Sequence, residues 1–202
     1  MADKVTIINR GLSLLGAEPI VDLTDNIPEA KIANRFYDES RKSILSEVLW
    51  NFAAKRETLN LSTFTPAWIK DQVNYVFQLP SDIIRIFGIS TDSITWRIEG
   101  QYLYADTNEI GILYVYNMTD TTKYSASFVD AFADKLAADM CYAVTNSNSE
   151  AKLLLEKYDG QSLPKATAEN SQVGTPPQID DNLWSYARFG YSPVNRSGAR
   201  IA

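Results

Sequence analysis

The chain of 202 residues contains no histidine and one cysteine, Cys141. Those absences remove Ser-His-Asp and Cys-His nucleophilic catalysis, and they remove zinc sites built from Cys and His ligands. A lone cysteine also excludes an intrachain disulfide. Cys141 falls inside a helical apolar pattern and reads as a small buried hydrophobe, the usual state of a free cysteine, rather than as a reactive thiol. Carboxylates remain. Glu99, Asp106 and Glu109 lie near the ends of predicted strands, and a carboxylate pair is the glycosidase machinery that needs no histidine. Solvated turn carboxylates are far commoner, so no catalytic, metal or cofactor residue is assigned, and the glycosidase stands as the alternative.

Aromatic residues offer a second kind of chemistry. Trp96, Tyr102, Tyr104, Tyr114 and Tyr116 occur at strand spacing, and such a ladder could stack nucleic-acid bases. Single-strand binders pair their stacking platforms with a basic groove. Here Arg85 and Arg97 are nearly the only cations nearby, and the whole chain carries −6. Packing is therefore the expected role, and specific DNA binding is not expected. A third cluster lies near the end, where Trp184, Tyr186, Arg188, Phe189 and Tyr191 fall within eight residues. Residues 183–202 hold three arginines and no acid, a charge of +3 that leaves −9 on the rest. These are too many aromatics for a solvated tail. They either cover their own domain or dock on a partner, since Trp, Tyr and Arg dominate interface hot spots.

The elements that would position these residues follow from periodicity. Asp3 can cap a first helix with Val5, Ile8, Leu12 and Leu15 on one stripe and Gly16 at its stop. Residues 20–23 suggest a short extended link. Asn26 with Glu29 three residues later reads as a capping-box variant, with Pro28 in the first turn. The long amphipathic helix that follows has Ala33, Tyr37, Ile44 and Val48 on one stripe, and Asp38, Glu39, Arg41 and Lys42 mostly off it. It is expected to end in the cluster Leu49-Trp50-Asn51-Phe52-Ala53, with Trp50 and Phe52 largely buried. Segments 73–79, 83–89, 94–99, 101–104 and 110–116 read as strands separated by turn signals. Residues 98–102 look like a tight hairpin with the next strand beside it. Helical spacing returns at Ser125, breaks at 145–149, restarts at a Ser147-x-x-Glu150 cap, and meets Pro164, which should bend or restart the helix.

The expected fold is α+β: an antiparallel helical bundle (1–58 and 124–171), an inserted antiparallel β subdomain (59–123) and an extended C-terminal tail (172–202). No apolar run approaches the ~18 residues of a membrane span, and the N-terminus lacks a secretory pattern. Synthesis in a cytoplasm is the expectation.

Several of these segments carry a family resemblance. A helix running into Trp50-Asn51-Phe52-Ala53, then Lys55 and Arg56, Trp68, and a turn with Tyr75, Leu79, Pro80 and Asp82 resembles the head-to-tail adaptors of short-tailed bacteriophages, also called tail tubular protein A. Ile8-Asn9 with Leu12, Leu15 and Gly16, and Trp184 with Ala187-Arg188, also fit. The resemblance implies a structural virion protein, made in the host bacterium, whose copies form a ring, commonly of twelve, between the portal protein and the tail nozzle protein. Genomic DNA would pass through without specific binding, and the subunit would be a monomer when free. It also favours docking for the tail, with Trp184, Tyr186, Arg188, Phe189 and Tyr191 against the portal or a neighbouring subunit. One adaptor family has been credited with wall-degrading activity, which keeps the glycosidase alternative in view.

Overall fold

The computed structural model describes residues 3–64, 66, 73–91 and 94–173. Helix α1 (Lys4–Leu14) starts where the Asp3 carboxylate accepts from the Lys4 amide at 2.6 Å. Ile8 and Leu12 are fully buried, and Gly16, with φ +67°, follows the helix end. The expected extended link at 20–23 is instead a loop held by side chains. Asn9 exchanges two 2.8 Å hydrogen bonds with the backbone of Ile20, and the Asp25 carboxylate accepts from the amides of Val21 and Asp22. These short-range bonds satisfy the backbone without a strand partner.

Helix α2 (Pro28–Glu47) is capped at Ile27, with no side-chain hydrogen bond at the cap. The Asn26 capping box is therefore absent, while Pro28 does occupy the first turn. The helix also stops before the aromatic cluster. Val48 turns extended, Asn51–Ala53 form a 3-10 turn, and β1 (Ala54–Thr58) begins. The reason is local: the Trp50 indole N–H donates to the Ile44 carbonyl at 2.9 Å, satisfying one of the acceptors a helix end leaves open. Arg41, expected off the apolar stripe, is only 6% exposed. Its guanidinium reaches Asp38 at 2.7 Å and Asn117 at 3.1 Å, the pairing that a buried charge demands.

The remaining strands are β2 (Tyr75–Gln78), β3 (Ile83–Ile89), β4 (Trp96–Glu99), β5 (Tyr102–Ala105) and β6 (Gly111–Tyr116). They form two antiparallel sheets, ordered β1-β6-β3 and β2-β5-β4. The β4–β5 hairpin forms as expected around Gly100, whose φ of +60° suits glycine. The next strand does not join it. β6 leaves to become the centre of the first sheet, because its apolar side chains must be buried on both faces. Val115 faces a helical core together with Ile84 and Phe87. Ile112 and Tyr114 face a second core together with Phe77, Leu103 and Ala105 of the other sheet. The first sheet thus lies between the helices and the second sheet.

Helix α3 (Ala126–Thr145) is capped by Ser125, whose hydroxyl accepts from the Phe128 amide, and it ends at Asn146 in the left-handed region. It packs against α1, α2 and the helix that follows it in the chain, which explains its wide apolar face and the full burial of Cys141. A Cβ on Gly11 would lie 3.3 Å from the Ala133 carbonyl, so α1 and α3 approach through a residue without a side chain. Ser147 caps α4 (Asn148–Lys157) by accepting from the Glu150 amide. The chain continues through a π turn (Tyr158–Ser162) into α5 (Leu163–Ser171). The Leu163 amide donates to Tyr158 in that wider turn, and Pro164, which has no N–H, follows without breaking the helix. Residues Met1–Asn170 form one unit, and the chain from Ser171 on is separate from it in sequence.

Candidate assembly site

Trp184, Tyr186, Arg188, Phe189 and Tyr191 lie outside the described residues. The described residues run to Val173, just beyond α5. Asn170 sits on the last turn of α5 and clamps the Leu49-Trp50-Asn51 segment from both sides. Its side-chain oxygen accepts from the Asn51 amide at 2.9 Å, and its side-chain N–H donates to the Leu49 carbonyl at 2.8 Å. The Asn51 side chain returns a bond to the Asn170 carbonyl at 2.6 Å. The end of the helical body is thereby fixed to the turn that feeds β1. Nothing in the sequence flagged Asn170, because its partners lie about 120 positions away.

That turn is held by an aromatic nest. Trp50 is fully buried and meets Phe128 edge-on at 4.8 Å between ring centroids. Phe52 also meets Phe128 at 4.8 Å and Tyr124 at 5.4 Å, but it is half-buried rather than enclosed. Tyr124 donates to the Met118 carbonyl at 2.8 Å, and burial pushes its phenol up to about 12. Immediately beyond, Lys55 on β1 pairs with Asp82 at 2.6 Å and lies over the Tyr116 ring. The two motifs quoted for the resemblance, Trp50 to Arg56 and Leu79 to Asp82, therefore meet in space. Trp68 lies outside the described residues.

The three candidate carboxylates are all exposed. Glu99 is paired with Arg97 on the same strand at 3.0 Å. Asp106 accepts from the Thr95 amide at 3.2 Å and closes the loop before β4. Glu109 sits in a turn organised by the Thr107 hydroxyl. Of the aromatic ladder, Tyr104 and Tyr114 are buried, while Trp96 stays exposed. Burial raises the Tyr114 phenol, helped by its hydrogen bond to Glu57. Tyr114 and Tyr116 pack in the cores and Tyr104 with Tyr102 in a smaller cluster beside Val73 and Val76, whereas Trp96 packs in none of them.

Two part-buried polar pairs tie the helices together. Asp134 takes Lys157 at 2.8 Å and the Ser162 hydroxyl. Tyr158 donates to Glu47 at 2.8 Å, and burial followed by the Glu47 charge raises its phenol strongly. Among the described residues, no helix is long and apolar enough to cross a membrane.

What the geometry offers is scaffolding: a helical body, two stacked sheets, and a pinned junction between α5 and the Trp50 turn. The comparison with curated proteins found no match. The model of the tail tubular protein family matches residues 5–119, more than half of the chain, and covers both motifs that meet at the Trp50 turn. The chain belongs to the tail tubular protein family, a structural component of phage tails.

Proposed function

We propose that the protein is a head-to-tail adaptor of the virion: a ring of twelve copies that joins the portal to the tail nozzle and continues the DNA channel. Membership in the tail tubular family carries this reading. The absence of histidine and the single enclosed cysteine agree with a structural, non-enzymatic role. The occupied state of Glu99 and Asp106 supports it over a glycosidase. The tail, residues 172–202, is the proposed docking segment, with Trp184, Tyr186, Arg188, Phe189 and Tyr191 as anchors on the portal or a neighbouring subunit. Electron microscopy of the purified chain with and without its portal is the test. Rings that form on the portal, with a free subunit that stays monomeric, are expected. A chain that neither binds portal nor forms rings would sink the reading.

A further inference from the structure

The ring reading leaves open how one copy holds the next, and we infer that the free edge of β1 in one subunit pairs, as an antiparallel strand, with the free edge of β4 in its neighbour. The two sheets have four edges, β1, β3, β2 and β4. β2 is covered: Leu61 bridges to Phe77, and the Ser62 amide donates to Val76 at 2.7 Å. β3 carries two register shifts, which blunt an edge against pairing. β1 and β4 run in unbroken register, and among the described residues no strand pairs with their outer sides. Lys55, Arg56, Glu57 and Thr58 are exposed, as are Trp96, Ile98 and Glu99.

The hydrogen-bond phase of each edge is fixed by bonds already made. The Leu59 amide donates to Ile110, so Leu59, Glu57 and Lys55 direct their backbone groups toward β6 while Thr58 and Arg56 direct theirs outward. On the other sheet the Asp106 amide donates to Thr95. Thr95, Arg97 and Glu99 therefore bond inward to β5, and Trp96 and Ile98 present their groups outward. An antiparallel pair must set outward residues opposite one another, which Arg56 with Ile98 and Thr58 with Trp96 satisfies.

That same register places Lys55 opposite Glu99 and Glu57 opposite Arg97. These become the non-hydrogen-bonded pairs, in which opposed side chains come closest. Sliding by two residues one way sets Lys55 against Arg97, and the other way sets Glu57 against Glu99. Both are like-charge contacts, so charge selects a single register. On the opposite face Trp96 and Ile98 are 42% and 43% exposed. The stem of Arg56 would cover them, with its guanidinium diagonal to the indole at cation–π reach. Because two different edges meet, the contact is heterologous and propagates into a ring rather than closing as a dimer. Self-pairing of β1 about Arg56 would oppose two arginines, and self-pairing of β4 would stop at two copies.

Cysteine cross-linking in the full chain tests this, with the ring formed on purified portal. Opposed residues of a non-hydrogen-bonded pair suit a disulfide, and the enclosed Cys141 contributes none. The double variant K55C/E99C should give a ladder of disulfide-linked oligomers on mild oxidation, and each single variant should give none. In parallel, K55E and E99K should each weaken ring formation about tenfold or more and K55E/E99K together should restore it, whereas D82N, which removes only the Lys55–Asp82 pair inside the subunit, should leave ring formation intact. Dimers from K55C alone or from E99C alone would overturn the inference in favour of self-pairing. Rings seen by microscopy without any ladder would overturn the strand pairing and leave the ring reading standing. If no rings form for the unmodified chain, the ring reading fails and this inference fails with it.

Discussion

Trp50 combines two roles in one side chain: its ring packs against Phe128 and its N–H closes the end of α2 on the Ile44 carbonyl. Trp50→Ala should therefore cost about 3–5 kcal/mol in denaturant melts, the range for emptying a large enclosed site. Phe52→Ala should cost distinctly less, because Phe52 is only half-buried; equal losses would contradict this ranking. Tyr37 is the opposite case. Its hydroxyl is buried without a hydrogen-bond partner among the described residues, and a phenylalanine would remove a desolvated polar group while keeping the contact with Phe132. Tyr37→Phe is expected to leave stability unchanged or raised, and a clear loss would reveal a partner for that hydroxyl. Four phenols, Tyr37, Tyr114, Tyr124 and Tyr158, are all raised by burial. In the unfolded chain they would ionise near pH ~10. Above that pH the unfolded state has lost protons that the folded state still holds, so stability falls as pH rises. The urea midpoint should hold below about pH 10 and drop beyond it, and a flat midpoint up to pH ~12 would be inconsistent with neutral buried phenols.

Among the elements, the junction between α5 and the Trp50 turn decides where the body ends. The Asn170 clamp ties the last turn of α5 to the Trp50 turn. Truncation after Ser171 is expected to leave the thermal melt of the body nearly unchanged while abolishing portal binding. A collapse in stability on truncation would show that residues 172–202 complete the body's own core. Asn170→Ala should loosen the turn by about 0.5–1.5 kcal/mol, since water can replace the lost bond at the exposed Asn51 amide and in part at the Leu49 carbonyl. The π turn at Tyr158–Ser162 belongs to the same scale. It lets one helix carry both Tyr158, bonded to Glu47, and Pro164 without a break.

For the whole molecule, charge is the property that bears on a DNA channel. The body carries −9 once the +3 of residues 183–202 is set aside. Like charge keeps a duplex sliding, whereas a cationic wall would hold its phosphates. The inner face of the ring is therefore expected to be acidic or neutral. A lumen lined by lysine and arginine in a reconstruction of the assembled tail would refute that.

The sequence by itself determined what local physics decides. The caps at Asp3 and Ser147, the return of helix at Ser125 and its break over 145–149 need only neighbouring residues. The strand segments from 73 to 116 and the Gly100 hairpin follow from period and turn chemistry, while β1 (Ala54–Thr58), inside the half expected to be helical, does not, and the missing histidine bounds the chemistry. Tertiary structure decided what depends on distant partners. The end of α2 falls earlier than the apolar pattern through Leu49 and Phe52 suggests, because the Trp50 ring turns in to pack on Phe128, far along the chain, and its N–H then closes on Ile44. Arg41 looked solvated because Asn117, its second partner, is 76 positions away. The departure of β6 from the hairpin was invisible for the same reason. A strand buried on both faces must find two cores, and only the packed helices and the second sheet supply them.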